Sequence, residues 1–123
     1  AEDPAELDFE TISVRWLWER YFMAMFYYQH DGSNWNIAFG WLTGDDACTW
    51  QGIECSTTSN TVITIGMELN GLKNPMLTEM GLLQDLEFIN FSFNPLGGQI
   101  PTEIGQLTKL TKLIIQNSDI TGK

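Results

Sequence analysis

Few side chains in this sequence could do covalent or metal chemistry, and they do not converge. Cys48 and Cys55 lie in the segment CTWQGIEC, His30 is the single histidine, Asp45 and Asp46 precede the cysteine segment, and Glu54 sits inside it. Two cysteines at C-x6-C spacing and one histidine do not fill the four positions of a zinc site, so no metal is expected. A disulfide is the better reading of the pair, with two buried free thiols as the alternative. A disulfide places the chain in an oxidising, extracytoplasmic compartment. Adjacent carboxylates could serve as acid and base or hold calcium, but solvated loop charges are the plainer reading of Asp45-Asp46. His30 has no Ser or Cys partner in a recognisable motif, and neither G-x-G-x-x-G nor a P-loop occurs. The expectation is a non-enzymatic chain without a cofactor.

Charge narrows the partner. The 123 residues carry 16 acids against 6 bases, a net charge of −10. So acidic a chain is a poor partner for a phosphate backbone, which excludes a generic nucleic-acid module and leaves protein or peptide. Residues 1–61 hold ten acids and two bases, whereas residues 62–123 hold six and four. Twelve of the 15 aromatic residues, all five tryptophans included, precede residue 51. Residues 1–10 contain five acids and Pro4 and read as an acidic N-terminal arm, solvated or held by a partner. The opening Ala1-Glu2-Asp3-Pro4 reads as a mature end left by removal of a targeting peptide, an arbitrary cut being the alternative. The longest apolar run, Tyr21 to Tyr28, is far shorter than the roughly 20 residues that cross a bilayer, so no transmembrane span is expected.

The elements that position these residues follow from a repeat. Leu83, Leu86, Ile89, Phe91, Asn94, Leu96, Gly98, Ile100, Pro101, Ile104, Gly105 and Leu107 form one unit. Adding 24 lands on Leu110, Leu113, Ile115, Ser118, Ile120 and Gly122, and subtracting 24 lands on Val62, Ile65, Met67, Asn70, Leu72, Met76, Met80 and Gly81. The pattern L-x-x-L-x-L-x-x-N-x-L resembles the leucine-rich repeat, and G-x-I-P-x-x-I-G-x-L at 98–107 resembles its plant subclass. The L-x-L pair puts two apolar side chains inward from a short strand. The Asn amide can satisfy backbone groups that no ladder reaches. Asn74 stands where Gly98 does and Leu77 where Pro101 does, so an irregular convex side is expected for the first repeat. Ser118 replaces Asn in the third, so a looser turn is expected there. About 2.5 repeats without a C-terminal cap would leave Leu110, Leu113 and Ile115 edge-on, so more repeats or a partner are expected to cover that end.

The first half supplies the other end. Residues 11–30 read as a helix stopping near Gly32, with Val14, Leu17, Trp18, Tyr21, Phe22, Ala24, Met25 and Tyr28 as the face that covers the first repeat. Trp35, Trp41 and Trp50 are packing anchors in the loops that follow. Helix plus NW…GWL…CTWQGIEC resembles the N-terminal capping domain of plant- and algal-type extracellular leucine-rich repeat proteins, through Trp35, Trp41, Cys48, Trp50, Gly52 and Cys55. The resemblance implies a Cys48–Cys55 disulfide and a cap that shields the first repeat. The expected fold is therefore α/β, a leucine-rich repeat solenoid with a parallel sheet. Residues 1–10 form the arm, 11–61 a helical, disulfide-closed cap, and 62–123 the repeats.

Repeat geometry points Thr64, Gly66 and Glu68, then Phe88, Asn90 and Ser92, then Lys112, Ile114 and Gln116 outward from the concave strands. In the family this face often binds ligands, so these residues are the expected partner-binding grid, with Phe88 and Ile114 as apolar anchors. Asn90-Phe91-Ser92 is also an N-glycosylation sequon. On the cap, Trp16, Met23, Phe26 and Tyr27 make a second expected docking face, a folded-back arm or a membrane surface being the other readings. Three functions follow: a protein- or peptide-recognition module; an accessory subunit stabilising a larger membrane-associated complex, for instance in an organelle lumen such as the thylakoid's; or an ectodomain fragment of a leucine-rich repeat receptor. The expected location is secreted or cell-surface, with the organelle lumen as alternative.

Overall fold

The computed structural model describes residues 14–44 and 46–121, with side chains from Leu17 onward. The acidic arm at 1–10 and the Trp16 side chain lie outside the described residues. Among the described residues, one helix, α1 (Val14–Gln29), precedes two short 3₁₀ turns (Gly32–Asn34 and Ala47–Thr49) and four strands. The strands are β1 (Ile53–Cys55), β2 (Val62–Gly66), β3 (Phe88–Asn90) and β4 (Lys112–Ile114), with 3₁₀ segments at Thr78–Leu82 and Thr102–Gln106 between them.

The strands form one sheet in the order β1-β2-β3-β4. Thr64 pairs with Phe88 and Phe88 with Lys112, both in parallel register, so the 24-residue sequence period is also the spatial one. β1 departs from the expected parallel sheet: it runs antiparallel to β2, pairing Glu54 with Thr64. The connection at 56–61 explains this, because a parallel crossover needs a dozen or more residues. The Ser56 N–H donates to Thr61 O and closes a hairpin instead. The Cys48–Cys55 disulfide ties the end of β1 to the 3₁₀ turn at Ala47–Thr49. Gly52, at φ 89°, leads into β1, and a Cβ there would lie 2.6 Å from Gly66 O, so only glycine lets the hairpin close this tightly.

Inward residues alternate as period two requires. Ile65, Met67, Ile89 and Phe91 are buried, while Leu110, Leu113 and Ile115 of the last coil are half-buried, since one coil alone packs on them. Asn94 binds the coils together. Its Oδ1 accepts from the N–H groups of Asn70 and Leu72 at 2.9 and 3.0 Å, and its Nδ2 donates to Met67, Phe91 and Ser92 carbonyls. Asn70 repeats the act one coil earlier, accepting from Ile37 N–H and donating to Ile37 O. The loop at Ile37 thus occupies the place of a preceding coil. Ser118 makes a single side-chain bond, to Ile115 O within its own turn, as its smaller bonding capacity predicts.

The convex side of the first repeat is not irregular. Its 3₁₀ segment has the same length as that of the second and lies 24 residues before it. Asn74 takes a left-handed φ of 73° and so replaces Gly98, at φ 67°, because Asn tolerates that region better than other side chains.

The helix is rotated from the expected orientation. Glu19, Phe22, Met23, Phe26 and His30 are buried, whereas Leu17, Tyr21 and Tyr28 are exposed. Apolar residues surround α1 on all sides, so periodicity alone chooses no face. Two polar anchors choose it. Glu19 Oε1 accepts the N–H of Val62, at the start of β2. The His30 ring is fixed to Lys73 O at 2.7 Å. Phe26 then meets His30, Trp35, Trp41 and Phe91 at ring-centroid distances of 4.6 to 5.9 Å, joining the aromatic half to the second coil.

Candidate binding surfaces

The register builds an addressable grid on the outer face of the strands. Glu54, Thr64, Phe88 and Lys112 form one row across all four strands, and Gly66, Asn90 and Ile114 the next. Phe88 and Ile114 are half-buried rather than protruding. Lys112 Nζ lies 5.7 Å from the Phe88 ring centroid, a cation–π contact that orders both side chains. Asn90 Nδ2 donates to Glu68 Oε1 at 3.3 Å and its Oδ1 accepts from Ser92 N–H. Glu68, Lys112 and Gln116 are exposed. The structure thus brings Thr64, Glu68, Phe88, Asn90, Lys112 and Ile114 onto one face, and adds Glu54, which the sequence did not mark because β1 lies outside the repeat.

Two expectations fail here. Ser92 does not line the grid: β3 ends at Asn90, the chain turns inward, and Ser92 is 1% exposed. The cap docking face does not exist as drawn either. Met23 and Phe26 are wholly buried because the helix is rotated, and Tyr27 packs its ring on Trp35 and Tyr28. The solvent side of α1 carries Leu17, Tyr21 and Tyr28 instead.

A further exposed surface was not foreseen. The residue before each ladder position, Leu69, Phe93 and Asn117, has a left-handed backbone at φ 51°, 61° and 56°. The N–H of Leu69 donates to Ser92 O and that of Phe93 to Gln116 O, so this conformation is how each coil hands a hydrogen bond to the next. Asn suits it, but Leu and Phe adopt it at a cost of roughly 1–2 kcal/mol each. Both side chains face solvent. The one available signal was Leu and Phe at a 24-residue interval immediately before Asn.

His30 is fully buried, and burial holds its pKa below the ordinary 6.5, with backbone hydrogen bonds at Lys73 and Asn74 opposing the shift. Because Lys73 O can only accept, Nδ1 carries the proton; Nε2 is buried without a partner. Among the described residues no group of three or more His, Cys, Asp or Glu could hold a metal. No helix among them is long and apolar enough to cross a membrane.

Known proteins share this arrangement. Receptor-like protein 7 of Arabidopsis thaliana is 32% identical over 68% of this chain, which spans 9% of that protein. The crystal structure of a plant ice-binding protein superposes with a TM-score of 0.74 at 27% identity, covering 83% of this chain and 33% of that one. The BIR2 ectodomain from Arabidopsis thaliana gives 0.58 at 25% identity, covering 85% and 54%. The chain is a leucine-rich repeat protein of the plant extracellular type. No protein-family model matches it. As a leucine-rich repeat chain it uses the family's Asn position twice and departs from it at Ser118.

Proposed function

We propose that this chain is a short leucine-rich repeat solenoid, with residues 11–61 as its cap and 62–123 as its repeats. It acts outside the cytoplasm, secreted or at the cell surface, as a non-enzymatic recognition module for a protein or peptide. The strand face carries this reading: side chains in 24-residue register on rigidly paired strands, with an apolar, an amide and a charged position side by side. The receptor-like relatives support it and favour a second form, in which the chain is a segment of a receptor ectodomain. They lend no support to an organelle lumen. Transcript sequence downstream of Lys123 that encodes a membrane span would bear out the receptor form, and a stop codon without one would remove it.

The recognition reading is tested by selecting phage-displayed random dodecapeptides on the immobilised chain. Convergent peptides are expected, and absence of convergence sinks the reading. The double variant Phe88→Asp with Ile114→Asp should lose capture while its circular dichroism spectrum remains that of the folded chain. Undiminished capture removes the concave grid as the site. A glycan on Asn90 is the competing occupant of the row formed by Gly66, Asn90 and Ile114. Intact mass after secretion from plant cells separates the two, since the concave site requires Asn90 unmodified.

A further inference from the structure

Ile37, Leu69 and Phe93 form an apolar row along one lateral edge, bordering the strand grid at Gly66 and Glu68. Ile37 is joined to Asn70 by reciprocal hydrogen bonds, and Leu69 is the residue before Asn70. Leu69 is joined through its N–H to Ser92, the residue before Phe93. The three side chains are 53%, 66% and 40% exposed. Phe39, two residues after Ile37 and 79% exposed, adjoins the row through its carbonyl, which accepts from Gln51 N–H. A small recess opens between Ile37 and Leu69, with Gln51, Gly66, Met67, Glu68 and Asn70 completing its lining.

The fold does not need these side chains. The left-handed backbone at Leu69 and Phe93 is required by the coil-to-coil hydrogen bond, but Asn117 takes the same backbone conformation one coil later without an apolar group. Strain at two bulky residues, combined with solvent exposure of both, is the pattern that marks a surface used for something other than stability. The charge beside it says what it fits. Glu68 is exposed, it lines the recess, and no base does.

We infer that this edge docks an extended protein segment that places an apolar side chain in the recess between Ile37 and Leu69 and a Lys or Arg beside Glu68. The inference rests on the recognition reading above and names its partner class. The recess borders the Asn90 row, since Gly66 pairs with Asn90 and Glu68 accepts from Asn90 Nδ2, so a sugar on Asn90 would disturb the Glu68 side of the site while leaving Ile37 and Leu69 open.

The experiment uses the ¹⁵N-labelled chain titrated with defined nonapeptides. Each has a Gly/Ser backbone with a central Leu or Phe and one flanking Lys or Arg, with counterparts carrying Glu for the base and Ser for the apolar residue. The basic apolar set should give saturable shifts at the amides of Ile37, Glu68, Leu69 and Phe93, and both counterparts should not. Leu69→Gly removes the side chain while suiting the left-handed backbone, so it should keep or raise the melting temperature and weaken binding by roughly tenfold or more, as loss of a hot spot does. Glu68→Lys should transfer the preference to the Glu peptides. Saturation at Phe88 and Ile114 with Ile37 and Leu69 unmoved overturns the edge while leaving the recognition reading standing. So does an unchanged affinity in Leu69→Gly, and so does the absence of any saturable shift when dodecapeptide selection has converged.

Discussion

The aromatic half and the repeat half bury their cores by opposite means. In the repeats one solution is applied every 24 residues: two inward apolar side chains on a strand, a left-handed residue, and an Asn that serves the coil before it. In the aromatic half nothing recurs. Trp35, Trp41 and Trp50 meet at angles from 47° to 90°, and their polar atoms are met by one-off contacts, with Trp35 Nε1 on His30 O and Trp41 Nε1 on Gln51 O. A repeat can rely on its neighbour, because the neighbour has the same shape. A cap has no such neighbour, so large rings of irregular fit and buried polar anchors take its place.

The largest effect should come from breaking the irregular core where it meets the regular one. Phe26→Ala removes a wholly buried ring that touches His30, Trp35, Trp41 and Phe91, and should cost about 3–5 kcal/mol in urea unfolding. A loss under about 1 kcal/mol would mean that the two halves are not joined through that ring.

The ladder offers a test within the regular half. Asn94→Ala leaves two backbone N–H groups and three carbonyls of buried segments to find other partners, and should cost on the order of 2–4 kcal/mol. Ser118→Ala loses one bond inside its own turn and should cost about 1 kcal/mol or less. Equal losses would show that the repeat positions are equivalent after all.

What the sequence revealed follows the same division. The register at Thr64, Phe88 and Lys112 was legible because a repeated pattern is read several times and errors in one copy are corrected by the others. The face of α1 was not legible, because Phe22, Met23, Phe26, Tyr21 and Tyr28 are all apolar and only Glu19 and His30 decide between them. A buried acid and a buried histidine look like solvent-facing residues until their backbone partners, Val62 N–H and Lys73 O, are seen. The Cys48–Cys55 disulfide was legible from the resemblance of its segment. The edge at Leu69 and Phe93 was nearly hidden, because apolar periodicity does not report backbone handedness and only their 24-residue interval before Asn pointed to it.

His30 gives the aromatic half a pH dependence that the repeats lack a histidine to provide. Burial depresses its pKa in the folded chain, so the unfolded chain binds the proton more readily. Its stabilising contribution is complete above the ordinary value of 6.5 and is lost as pH falls from there through the depressed folded value. Urea midpoints should therefore fall between neutral pH and pH 5 more steeply in the wild type than in His30→Phe. Parallel profiles would show that the ring is not what titrates.

The smallest effect belongs to the exposed end of a polar ladder that runs from the start of the sheet into the repeats. Thr61 Oγ1 donates to Asp85 Oδ2 at 2.5 Å, and Lys109 Nζ meets Asp85 Oδ1 at 2.8 Å, the three residues standing 24 apart. Lys109 is well exposed, so water and salt screen most of the attraction and its flexible stem loses freedom when held. Lys109→Ala should cost no more than about 1 kcal/mol, and the difference from wild type should vanish near 1 M salt. A loss that persists at high salt would mean that Lys109 acts through its alkyl stem, covering apolar surface beneath it. The regular half would then draw packing from a charged residue, and its contrast with the aromatic half would rest more on the Asn ladder.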